Sequence, residues 1–324
     1  MPDILVRECY IAPMRIVDFH AHFFSRVFFD TLTDLSPQPG DRETKLAPIL
    51  AKTGIELPAL DVAEHALRWV SELDAKGVEH MVSFASLPEE VPALSEAARA
   101  AAGRITPMAL VHPMLPGAAG RVETLINDHG FRGVLTFPAM HHYRIGDEGA
   151  RELLEVLSEH EAIVYVHCGM LVVKLRDLLG LARPYDMRFA NPLDILPAAN
   201  AFPRVTFVVP HFGAGFLRET LMLGAQADNV CVDTSSTNGW IRTQPTRTSL
   251  GEVFERALGA FGHERILFGT DSGTFPAGWR RDRFEEQQAL LEDLGIAAVE
   301  QQQIFAGNAK RLLRLPATGT VTTG

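Results

Sequence analysis

Eight short apolar runs alternate with helical stretches along 324 residues, which predicts an α/β protein built as a single-domain (β/α)8 TIM barrel. The runs are rich in Val, Ile and Phe without strict polar alternation, as strands covered on both faces are. Each ends in polar or turn residues, and a helical segment follows most of them. Eight such units favour closure into a barrel over an open doubly wound sheet, an order that one sequence does not exclude. The domain is expected to occupy 1–324, with its core at about 15–314.

The first strand is RIVDFHAH (15–22), which ends in two histidines. A long connection, 23–61, rich in Pro, Asp and Thr, separates it from the helix ALRWVSELDAKG (66–77). HMVSFAS (80–86) and ITPMALVHP (105–113) are the second and third strands, with ALSEAARAAAG (93–103) as the helix between them. GRVETLINDHG (120–130) leads to the fourth strand, FRGVLTFP (131–138), and GARELLEVLSEH (149–160) to the fifth, IVYVHCG (163–169). A second long connection, 170–204, contains KLRDLLGLARPYDMRFANPLDI. The sixth strand VTFVVPHFG (205–213), the helix FLRETLMLGAQA (216–227) and the seventh strand VCVDTSS (230–236) follow in turn. LGEVFERALGAF (250–261), the eighth strand ILFGTDSG (266–273) and the helix RFEEQQALLEDLG (283–295) complete the pattern. Both long connections leave the C-terminal ends of strands, where barrels place lids and substrate contacts; for 23–61 a contact in a homo-oligomer is an equal alternative.

Apolar residues make up 47% and charged residues 22%, values that exclude a mainly disordered chain. Thirty Lys and Arg against forty Asp and Glu leave a net charge of −10 without a long basic run, which argues against nucleic acid or acidic lipid as partners. Cys9, Cys168 and Cys231 are too few and scattered for a disulfide scaffold or a Cys-type zinc site, so a reducing cytoplasmic setting is expected. Asp3, Arg7 and Glu8 interrupt the N-terminal segment where a secretory signal needs an apolar stretch, and no membrane span is expected.

The chemistry gathers at strand ends. His20 and His22 are two apart on a strand, so both imidazoles should share a face, with Asp18 one step deeper on it. His167, His211 and Asp271 close the fifth, sixth and eighth strands, which in a barrel brings five donors to one mouth. Nitrogen and carboxylate donors suit one divalent ion, zinc first among the first-row metals. Each histidine alone is more often a packing or hydrogen-bonding residue than a ligand; the coincidence at strand ends lifts the metal reading. Cys168, next to His167, should face the helical layer and pack. Asp233, Ser235 and Ser236 order the site by hydrogen bonds or cap the following helix.

These residues carry a resemblance. DFHAH (18–22), VHCG (166–169), PHFGAG (210–215), FGTDS (268–272) and the tail IFAGNAKRLL (304–313) resemble the amidohydrolase superfamily. They are most similar to its amidohydrolase-related branch, which includes aminocarboxymuconate semialdehyde decarboxylase and related aromatic-acid decarboxylases. The resemblance implies a (β/α)8 barrel with His20, His22, His167 and Asp271 as metal ligands. It implies His211 as the catalytic or substrate-polarising histidine, or as a further ligand. Many members carry a lysine at the end of the fourth strand that bridges two metals; GVLTFP offers Thr136 there, so one metal is expected.

Two chemistries fit such a centre. In hydrolysis of an ester, lactone or amide, a metal-activated water attacks a carbonyl and His211 or Asp271 takes the proton. In non-oxidative decarboxylation or hydration, His211 or Asp271 moves a proton at the substrate's carbon. Hydrolysis is placed first. The substrate is expected to be a small, anionic molecule, met by Arg183 and Arg188 first among Lys174, Arg176 and Arg280. His142 is a further contact, and Phe23, Phe24, Tyr185 and Trp240 are candidate walls.

Overall fold

A computed structural model describes residues 14–235 and 238–316; Cys9 and Ser236 lie outside the described residues. Eight parallel strands follow one another around a ring: β1 (Val17–His22), β2 (His80–Ala85), β3 (Ile105–Leu110), β4 (Gly133–Thr136), β5 (Ile163–Val166), β6 (Thr206–Val209), β7 (Val230–Asp233) and β8 (Ile266–Leu267). Hydrogen bonds from Phe19 N to Phe268 O (2.8 Å) and from His22 N to Ser272 O (2.7 Å) join β1 to the chain just beyond β8. The (β/α)8 barrel is thereby closed, and helices lie between successive strands.

Local chemistry sets the helix ends. The side chain of Asp61 accepts from Ala63 N and Glu64 N at the start of Val62–Lys76, and Gly77 ends that helix with φ 69°. Ser249 and Glu252 form a capping box at the start of Leu250–Phe261. The long connection after β1 is not structureless: it holds the helices Arg26–Leu35 and Arg42–Thr53. The connection after β5 holds Lys174–Leu178 and Leu196–Ala201.

Two cores result. Phe19, Phe84, Leu135, Tyr165, Val208 and Leu267 fill the barrel, and Ala306, Ala309 and Leu313 from the C-terminal segment join them. Val134, Val164, Phe207, Val232 and Phe268 face outward onto the helices, as does Cys168, which is buried there. The ladders stop earlier than the apolar runs suggest. β8 ends at Leu267 rather than 273, and β6 at Val209 rather than 213. The chain beyond them turns through left-handed backbone at His211 (φ 58°) and Asp271 (φ 59°), conformations a regular ladder does not accommodate.

β1 departs from simple alternation. Asp18 pairs with Met81 and Ala21 with Ser83, so three steps on β1 match two on β2, a one-residue bulge. Before it Val17 and Phe19 point into the barrel; after it Ala21 and Phe23 point outward. The carbonyl of Phe19, freed from the ladder, accepts from the Tyr165 hydroxyl at 2.6 Å. Asp18 therefore does not share a face with His20 and His22 as strict alternation predicts. It is bound instead by Trp279 Nε1 (2.8 Å), Thr270 Oγ1 (2.5 Å) and His20 N (3.0 Å), tying β1 to the segment after β8.

Candidate functional site

The bulge turns His20 inward, where its ring lies 4.9 Å from that of Phe84 and 5.6 Å from that of Tyr165. His20 Nδ1 donates to Asp233 Oδ2 at 2.7 Å, which leaves Nε2 facing Asp271 Oδ1 at 3.7 Å. His22 Nδ1 bonds Ser86 Oγ at 2.9 Å, and its Nε2 meets the same Asp271 oxygen at 3.2 Å. Donor atoms of His20, His22 and Asp271 lie within 4.8 Å of one another, and so do those of His20, His211 and Asp233. His167 joins neither group. Its ring stands 5.2 Å from that of His211, and its Nδ1 is buried without a partner.

This donor set suits a divalent ion on the structure's own terms. Two imidazoles present Nε2 toward one carboxylate, their other nitrogens are held by Asp233 and Ser86, and an unpaired buried nitrogen lies nearby. Close approach is built in at Gly269, where a Cβ would come within 2.7 Å of His20 Cβ and 2.9 Å of Ser235 Cβ.

Asp233 is the hub. Its Oδ1 accepts from His211 N (2.9 Å), Ser235 N (3.0 Å) and Ser235 Oγ (2.5 Å), while Oδ2 holds His20. His211 Nδ1 donates to Ser235 O at 2.9 Å, so Nε2 is its uncommitted nitrogen. Burial pulls the His211 pKa down, aided by neighbouring His20, and takes His167 down to about 3, so both rings are neutral at pH 7. Burial opposes ionisation of Asp271, but the hydrogen bond from His22 and the imidazoles of His211 and His20 outweigh it and hold the carboxylate below its usual range. For His20, desolvation is likewise outweighed, by Asp233 and Asp271, and its pKa is raised.

A buried carboxylate that the sequence reading missed supports this wall. Glu90, on the turn after β2, accepts from Ser25 N and Ser25 Oγ (both 2.9 Å) and from Ser86 N (2.9 Å), fixing the residue that holds His22. Nothing in PEEVP marks it, because its partners come from two connections. Burial pushes its pKa up from 4.5 to about 7 against those hydrogen bonds. A carboxyl raised in the folded state contributes stability that is present below pH 4.5 and lost as pH climbs through 7. Unfolding free energy is expected to fall by roughly 3 kcal/mol more between pH 4.5 and 8 in the native protein than in Glu90→Gln. Parallel denaturation profiles for the two proteins would count against the ionisation of Glu90.

The site opens into a cavity of about 1400 Å³. Trp240 and Phe24 line it, as do Met170 to Arg176 from the connection after β5 and Phe28 and Phe29 from the connection after β1. The structure does not bring Arg183, Arg188 or His142 to this cavity. Arg183 is held by Asp177 and Arg188 by Asp186, each at 2.6 Å, with side chains 64% and 84% exposed. His142 is exposed on a left-handed helix end, its Nε2 2.5 Å from Pro184 O. These three side chains are satisfied locally, a pairing that sequence distance alone does not reveal. Phe23 packs against His65 in the outer layer, and Tyr185 is likewise absent from the wall. His141, by contrast, lines the cavity stacked on His112, their centroids 4.4 Å apart.

Among solved structures the chain is similar to 5-carboxyvanillate decarboxylase from Novosphingobium aromaticivorans complexed with manganese, with a TM-score of 0.65 and 15% identity over 94% of this chain and 97% of that one. It is similar to an amidohydrolase from Burkholderia multivorans with bound zinc, with a TM-score of 0.61 and 17% identity over 93% of this chain and all of the other. A probable 2-pyrone-4,6-dicarboxylic acid hydrolase from Acinetobacter baumannii gives a TM-score of 0.60 and 15% identity over 93% of this chain and 100% of that chain. At these identities the likeness shows the barrel. No curated protein matches the chain. Among the described residues no helix is long and apolar enough to cross a membrane. The amidohydrolase family matches residues 17–315, nearly the whole described chain, and the protein belongs to that family of enzymes.

Proposed function

We propose that the protein is a metal-dependent hydrolase that acts at the carbonyl of an ester, lactone or amide in an anionic small molecule. The observation that carries this reading is the convergence of His20 Nε2 and His22 Nε2 on Asp271 Oδ1, with both far nitrogens already engaged. His20, His22 and Asp271, with His167 beside them, would hold one divalent ion, zinc first. When bound, such an ion supplies Lewis-acid polarisation of a carbonyl and activation of water.

The chain's own groups do the rest. His211, neutral and anchored through Nδ1, keeps Nε2 to accept a proton and return it to the leaving group. Asp271 is the alternative proton acceptor, and Asp233 fixes the tautomer and direction of His20. Non-oxidative decarboxylation is the second reading, supported by the same site and by the decarboxylase among its structural neighbours. Screening with lactones, esters, amides and aromatic acids in heavy water separates the two. A decarboxylase places deuterium on product carbon, and a hydrolase does not.

Elemental analysis is expected to find about one divalent ion per chain, falling below about a tenth of that in the His20→Ala, His22→Ala double variant. Full occupancy in that variant would remove the assignment.

A further inference from the structure

The cavity is built for more than a single ring. It runs from His22 and Asp271 past the end of β3 to the helix Ala118–His129, where Ala118, Arg121, Val122, Leu125 and His129 all line it. That helix face alone is about 16 Å long at 1.5 Å per residue. Between the two ends the wall is aliphatic and aromatic, with Leu32, Leu87, Val91, Leu115, Val172 and Leu175 among its members.

Its charge is equally lopsided. Arg121, Lys174, Arg176 and Arg242 line the cavity, and Asp271 is the one carboxylate among the described lining residues. None of the four cations makes an ion pair among the described residues, although the protein as a whole carries a net charge of −10. Arg121 and Arg242 each donate to a backbone carbonyl, of Pro116 and Gly239. Arg176 spends one donor on Ala182 O (3.3 Å) and keeps Nε buried with no partner. The stacked imidazoles of His112 and His141 offer these cations no counter-charge, and burial, which lowers the pKa of both and takes His141 to about 4, disfavours their own positive charge.

We propose that the substrate is an amphipathic carboxylate, a medium-chain acyl or alkyl body carrying an anionic end. The apolar body lies along the wall between the Ala118–His129 helix and the segment Met170–Arg176, and Lys174 and Arg176 receive the carboxylate by charge-assisted hydrogen bonds. The reacting carbonyl then falls at His20, His22 and Asp271, so the inference rests on the reading of that cluster as the reacting end. Arg183 and Arg188, already neutralised, take no part.

Binding tests this without turnover. The protein as purified is titrated calorimetrically with hexanoate, octanoate and decanoate, and with benzoate and 1-octanol as comparators. Affinity should rise about fourfold for each added methylene, and decanoate should bind well above benzoate. In the Lys174→Met, Arg176→Met double variant, octanoate should weaken more than about tenfold while 1-octanol is unchanged. Val172→Asp, at a side chain 70% exposed where the fold is spared, should weaken decanoate more than hexanoate. Affinity independent of chain length, or benzoate binding as tightly as decanoate, overturns the proposal. Equal losses for octanoate and octanol in the double variant overturn its charged end. A protein that binds decanoate with this gradient but turns over no carbonyl compound keeps the inference and loses the hydrolase reading.

Discussion

His211→Asn is expected to lower turnover by about 100-fold or more while metal content stays unchanged, the scale of a positioned acid–base group. Asn offers an amide near the place of Nδ1, so contact with Ser235 O can persist, but it has no basic nitrogen in place of Nε2. The backbone is already committed: His211 N donates to Asp233, and φ at 58° is a conformation Asn tolerates. Kinetics and elemental analysis on the same preparation decide the role. Loss of metal in step with activity would make His211 a ligand, and the proton transfer would pass to Asp271.

Asp233→Ala should have the largest effect on stability. The carboxylate is fully buried and receives His20 Nδ1, His211 N, Ser235 N and Ser235 Oγ. Removing it strands several buried donors at once, a loss of about 3 kcal/mol or more. Metal affinity should fall about 10- to 100-fold as well, because His20 loses the partner that orients it. Chemical denaturation and competition with a chelator measure the two effects separately. Unchanged metal affinity in folded Asp233→Ala would mean that packing against Phe84 and Tyr165 alone orients His20.

The barrel is legible in the sequence because both of its periods are. All eight expected strands occur, each inside its apolar run, and the helix LGEVFERALGAF at 250–261 matches the observed Leu250–Phe261, since a capping serine and a following glycine bracket it. Less legible is where each ladder stops. The runs at 205–213 and 266–273 read as continuous strand, although the first leaves the sheet after Val209 and the second turns through left-handed Asp271 before Ser272 bridges back to Ala21. For the site, residue type and position near strand ends pick out His20, His22, His211 and Asp271, whose donors the fold gathers into two overlapping groups, whereas His167, picked out with them, joins neither group. What escaped were partners set by tertiary packing: Ser86 and Glu90 behind His22, and the local carboxylates that occupy Arg183 and Arg188. Lys174 and Arg176 were visible only as members of a basic connection; their unpaired state depends on which acids the fold leaves out of reach.

The extra residue in β1 makes the chelating pair a matter of phase. Phe19 and His20 together face one residue of β2, and the histidines point inward only because the count is odd there. If the same residues paired with β2 without the bulge, every donor side chain would still be present and yet both imidazoles would turn into the helical layer. Chelation at this strand therefore depends on a one-residue offset in pairing that no comparison of residue identities registers. A ligand motif of the form H-x-H on such a strand reports chelation only together with the register that precedes it.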